Sequence, residues 1–190
     1  MIGLDAKQAL RLVLASVSLL AAGSIWAADF RQASWGMTFD EVLALHPGVL
    51  PADRRIRYLT YESKLAQLDV KIFYRFDDEG ALYQAGYEVA LDEDDSEAAL
   101  ADYEKLNGLL LQRYPEAQPP EQIWRKQVFK DNPDKWARAV RVGHMSYIWR
   151  HSIPGTEITH SIGGTRRELA HLLTYQAKAD NSDASVLDQL

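Results

Sequence analysis

The chain of 190 residues contains no cysteine. That excludes a disulfide framework, a thiolate metal site, a cysteine nucleophile and a lipid-bearing cysteine. Membrane-spanning runs are missing too. The apolar stretch from Leu12 to Ala28 is broken by Ser16, Ser18, Gly23 and Ser24, and it falls short of the ~20 residues a bilayer span needs. There is no Gly-x-Ser-x-Gly elbow, no His-Glu-x-x-His helix, no phosphate-binding glycine loop and no dinucleotide fingerprint. Cations are in deficit, 21 Lys and Arg against 27 Asp and Glu, so the net charge of −6 disfavours nucleic acid as a partner. What remains is an ordinary globular composition, 47% hydrophobic and 25% charged, long enough for one well-buried core.

The first 27 residues have the order of an export signal. Lys7 and Arg11 precede the apolar run Leu12–Ala22, and Ile25-Trp26-Ala27-Ala28 supplies small residues at the cut, expected after Ala27. Cleavage there leaves no stable membrane anchor, and the bacterial periplasm is the simplest destination. The expected organisation is a signal peptide over 1–27, a single domain over 28–177 and a disordered tail over 178–190.

Within the domain, Thr38 and Glu41 form a capping-box pattern that starts a short helix after Gly36, and Pro47-Gly48 ends it. Strand-like alternation follows: weakly over Ile56–Glu62, strongly over Leu68–Phe76, and again at Ala81, Tyr83, Ala85, Tyr87, Val89 and Leu91 after the turn Asp77–Gly80. Asp94 or Ser96 caps a long helix whose stripe is Leu100, Tyr103, Leu106, Leu110 and Tyr114, and Pro115 ends it. A helical insert is expected at about 120–143, with Asn132 as cap, Pro133 at the first position and Gly143 as the stop. Three strands return, joined by turns at Pro154-Gly155 and Gly163-Gly164. The expected fold class is α+β: two layers, an antiparallel sheet of about six strands with helices on one face, and an α-β-β-β unit used twice.

Trp35-Gly36-Met37-Thr38, with Val42 four residues on, resembles the Gly-Met-Thr-x-x-x-Val opening of the SmpA/OmlA-like lipoproteins of the outer-membrane β-barrel assembly machine. The helix-plus-sheet order is also similar to the β-lactamase-inhibitor-protein-like fold. The Tyr103…Tyr114-Pro115 helix and the Trp149…Thr156-x-Ile158 hairpin look like uncharacterised periplasmic members of this class. The resemblance implies a scaffold for protein contacts without catalysis. The lipid-bearing cysteine of the lipoproteins is absent here, and the matched positions cap and pack, so they speak to fold and not to function.

Two surfaces carry candidate chemistry. The first is a histidine cluster. A two-residue turn at Pro154-Gly155 pairs Trp149 with His160, His151 with Ile158 and Ile153 with Thr156. If Ile158 also pairs with His171, then His151, His160 and His171 come within reach of one zinc ion and could serve a metal-assisted hydrolase. The face they share is the core side, so hydrogen-bonded core histidines are the plainer expectation. The second is the insert. Eleven acidic residues and no basic one lie between Asp77 and Glu104, whereas seven basic residues lie between Glu121 and Arg150. Trp124, Arg125, Lys126, Phe129, Lys130, Trp136, Arg138 and Arg141 interleave cations with aromatics in a way that suits an envelope protein, a peptide or a glycan. Aromatics in such an insert more often fasten it to its domain. The sequence therefore predicts an exported, non-catalytic interaction or ligand-binding protein, with no cofactor and no catalytic residue.

Overall fold

The computed structural model describes residues 29–47, 57–92, 94–165 and 168–178. The expected signal peptide lies outside them, as does the expected tail except for Lys178. The elements are α1 (Phe39–Ala44), β1 (Tyr58–Leu65), β2 (Leu68–Phe76), β3 (Leu82–Val89), α2 (Ser96–Arg113), β4 (Glu121–Trp124), a 3₁₀ turn (Pro133–Lys135), α3 (Trp136–Arg141), β5 (Met145–Ile153), β6 (Thr156–Gly164) and β7 (Leu169–Ala177). Among the described residues no helix is long and apolar enough to cross a membrane.

The strands form one antiparallel sheet in the order β1-β2-β3-β7-β6-β5-β4. The α+β class and the antiparallel sheet are as expected, but there are seven strands. The seventh, β4, opens the segment expected to be a helical insert and pairs Trp124 with Met145 at the sheet edge. Only the part from Pro133 onward is helical. Asn132 makes no side-chain capping bond there, because the helix starts as a 3₁₀ turn that proline itself pre-sets.

The local signals elsewhere have visible causes. Thr38 Oγ1 accepts from Glu41 N, and Glu41 accepts from Thr38 N, which closes the capping box of α1. The α2 cap is Asp95, not Asp94 or Ser96: its carboxylate accepts from Ala98 N at 2.9 Å. The Pro154-Gly155 hairpin has the expected register, with Trp149 opposite His160 and His151 opposite Ile158. In the β2–β3 hairpin a register shift between Arg75 and Phe76 sets Phe76 opposite Leu82, so Leu82 fills the core position expected for Tyr83. Gly163 and Gly164 are not a turn. Both lie within β6, and a Cβ on Gly164 would meet Val140 O and Arg141 O at 2.6 Å. Bare backbone at that point lets the end of α3 rest on the sheet.

Inward residues from every strand meet the helices on one face. Val42 of α1 is buried in one core cluster with Leu59, Ile72 and Tyr74. Tyr103 of α2 and Val140 of α3 are buried in a second cluster with Met145, Tyr147 and Ile162. A strap formed by residues 29–37 crosses the same face. Phe30 packs its ring 5.6 Å from Tyr74 and 5.1 Å from both Tyr87 and Tyr175, and Trp35 Nε1 donates to Thr156 Oγ1 at 2.8 Å. The opposite face is mixed: Phe73 is buried there over Gly86, and Tyr58, Ile148 and Leu172 share it with Lys71, Arg75 and Arg150.

Candidate functional site

The histidine positions follow from strand register. β6 and β7 pair Ile162 with His171 and Ile158 with Tyr175, so the pairing of Ile158 with His171 does not occur. His160 and His171 are therefore diagonal neighbours, with their Nε2 atoms 2.8 Å apart, while His151 lies further along the sheet. Both members of the pair are fully buried, and Tyr103 stacks on His160 at 4.3 Å. Asn107 Oδ1 stands 3.5 Å from His160 Nδ1. At 2.8 Å one of the two Nε2 atoms donates and the other accepts, so the two rings carry complementary tautomers. Burial pushes His160 down to about 3, with the neighbouring His171 adding to the shift, and burial alone pushes His171 down to about 4. The pair is neutral at ordinary pH. Among the described residues His171 Nδ1 and the Tyr103 hydroxyl have no hydrogen-bond partner.

His151 takes a different role. Its Nε2 lies 3.2 Å from Glu116 Oε1, and its ring packs on Tyr114 and Trp149. Among the described residues no three His, Asp or Glu side chains are grouped to hold a metal ion.

The insert residues hold one another. The Trp124 and Trp136 rings meet edge-on at 6.2 Å, Phe129 stacks on His144 at 5.4 Å, and the Arg138 guanidinium covers Phe129. Trp136 Nε1 donates to Lys130 O, and the backbone N–H groups of Arg125 and Lys126 both donate to His144 O. The aromatics are thus half-buried fasteners, and the cations form the outer surface. Among the described residues Arg125, Lys126, Lys130 and Arg138 have no carboxylate within ion-pair distance. Arg141 is half-buried at the end of α3, and Val128 at the tip is 72% exposed.

A third feature escaped the sequence reading. Between the strap and the carboxy-terminal half of α2 runs a groove of about 470 Å³. Its floor is Tyr87 of β3 with Leu173 and Tyr175 of β7, and its wall is Leu106, Leu109 and Leu110 of α2. It reaches from the β1–β2 turn at Leu65-Ala66 to Ile153 in the β5–β6 hairpin. Arg31 and Arg113 stand on its two sides. Each arginine is built the same way. Arg31 Nε donates to the Tyr87 hydroxyl at 3.2 Å and its guanidinium lies over the Tyr87 ring; Arg113 Nε donates to the Tyr114 hydroxyl at 3.1 Å and lies over the Tyr114 ring. Neither meets a carboxylate among the described residues. The lining carboxylate, Asp29, is occupied by Trp35 N at 2.9 Å.

The sequence carried one signal of this groove. The apolar arc of α2 extends past the expected stripe to Leu109, which is 44% exposed, and a helix that only covers a sheet has no use for it. Comparison of the chain with protein-family models, with curated proteins and with solved structures finds no match in any of the three.

Proposed function

We propose that the protein is a non-catalytic binding module of the periplasm and that the groove between the strap and α2 is its ligand site. The observation that carries this reading is the combination of a leucine- and tyrosine-lined floor with two guanidiniums that meet no carboxylate among the described residues. A cavity of this size, apolar with a few fixed polar groups at its mouth, is what small-ligand sites have in common. We read the strand order, β4 aside, as an α-β-β-β unit used twice, whose third strands β3 and β7 meet under the groove. The export pattern of residues 1–27 supports the location, and the resemblance to exported scaffold proteins points to binding over catalysis. The histidine pair lends no support to a hydrolase, since it is sealed from solvent and lacks a third ligand among the described residues.

A neutral fluorescent probe, N-phenyl-1-naphthylamine, tests the site. One probe per chain is expected to bind saturably, and Leu109→Glu is expected to weaken it by about ten-fold, because a half-exposed leucine can be replaced without unfolding the helix while the new charge enters an apolar wall. Absence of saturable binding, or equal affinity in the variant, would end this reading.

The exposed cations around Val128 favour a second surface on the same module, one that docks an anionic envelope partner through Arg125, Lys126 and Lys130. Reversing those three charges is expected to abolish partner capture from periplasm with the fold intact. Recovery of the same proteins by both forms would remove the insert from consideration.

A further inference from the structure

We propose that the groove selects an amphipathic monocarboxylate, with the head held between Arg31 and Arg113 and the apolar tail laid along Leu106, Leu109 and Leu110. This rests on the groove being a ligand site and adds the class of ligand.

The argument begins with the arginines. In a protein with six more acidic than basic residues, two guanidiniums that meet no carboxylate among the described residues, beside one cavity, are out of balance with their surroundings. Their geometry is set in advance. Each Nε is committed to a tyrosine oxygen, and each guanidinium carbon lies within 5.6 Å of that tyrosine's ring centre. The Nε bond leaves the outer N–H edge for a two-oxygen acceptor. Both arginines line the same groove, Arg31 from the strap and Arg113 from the end of α2. A hydroxyl that already accepts from Arg31 Nε keeps its own proton to donate. The neighbouring Tyr175 hydroxyl is pushed up by burial, so it stays protonated and adds no negative charge.

The tail follows from what lies beyond the head. Leu109 presents the open apolar surface, with the nearly buried Leu106, Leu110 and Leu173 behind it, and none offers a hydrogen-bonding group, so a polar tail would be stripped of water without compensation.

The test compares ligands that share a tail. Decanoate, 1-decanol and decane-1-sulfonate are titrated as competitors of the neutral probe against the protein as recovered from the cell. Decanoate is expected to bind at least about ten-fold more tightly than decanol, the smallest advantage expected of a charge-assisted hydrogen bond. The sulfonate can also offer two oxygens to a guanidinium edge, but its oxygens are less basic and so weaker acceptors, and it is expected to bind more weakly than decanoate. Arg31→Gln and Arg113→Gln are each expected to reduce the ratio of decanoate to decanol affinity, and the double variant to bring it close to one. Because the ratio is read within each variant, a general loosening of the groove cancels. Equal affinity for decanoate and decanol, an equal or tighter sulfonate, or a ratio that survives in the double variant overturns the carboxylate assignment while leaving probe binding in place. Failure of the probe itself removes the groove.

Discussion

Acid should destabilise this protein through His160 and His171 before it touches most carboxylates. Both imidazoles are fully buried and held below the usual 6.5, at about 3 and about 4. The unfolded chain regains ordinary histidines. As pH falls below 6.5 the unfolded state takes up two protons that the folded state refuses, so stability is full above 6.5 and declines as pH falls toward the folded values. Each proton is worth about 1.4 kcal/mol per pH unit, so between about pH 7.5 and pH 5 each histidine costs about 2 kcal/mol and the pair about 4. The figure needs only that both folded values lie well below 5. His46, half-buried and also lowered by burial, adds a smaller amount in the same direction, reduced by solvent. Denaturant midpoints at the two pH values measure the loss. A His160→Phe/His171→Leu variant keeps a ring under Tyr103 and removes both proton sites. It should be about as stable as the parent near pH 7.5, since replacing both partners of a buried polar pair by apolar groups is close to neutral. It should retain most of its stability at pH 5. Equal losses in parent and variant would refute the reasoning.

Three other outcomes are expected. The β1–β2 turn places Ala66 and Gln67 at φ +49° and +72°, where side chains are strained, so Ala66→Asn with Gln67→Gly should raise stability by about 1–2 kcal/mol by denaturant titration, and no gain would mean that the turn stores no strain. Gly86→Ala would set a Cβ 2.4 Å from Leu173 O and 2.8 Å from the Phe73 ring, so it should cost about 1–3 kcal/mol, visible as a lower melting temperature. Chelator and added zinc should both leave the melting temperature unmoved, and a rise with zinc would restore the metal-assisted hydrolase built on His151, His160 and His171.

What could be read from the sequence was local. The Thr38–Glu41 box, the Asp77–Gly80 turn and the Pro154-Gly155 hairpin each lie within a few residues, and each fixes its own geometry. Ala66-Gln67 was silent because neither residue is one that favours positive φ, and the turn is held from outside by Lys105 Nζ on Ala66 O. The β6–β7 register was silent for a related reason. Gly163-Gly164 reads as the turn, whereas the strands run past it to the bond from Thr165 N to Glu168 O, and a shift of four residues keeps every apolar side chain on the same face while moving His171 away from Ile158. The four-residue strand β4 is too short to show a period. The groove combines Arg31 with Arg113, which are distant in sequence, and no spacing rule joins them.

The meeting of β3 with β7 has a consequence for how the chain matures. The carboxy-terminal ribbon of the described fold sits in the middle of the sheet, so no amino-terminal fragment can close the structure. During synthesis, residues 58–89 can form at most a three-stranded meander with an unsatisfied edge until Leu169–Ala177 emerges. The step that locks the sheet therefore comes last in synthesis.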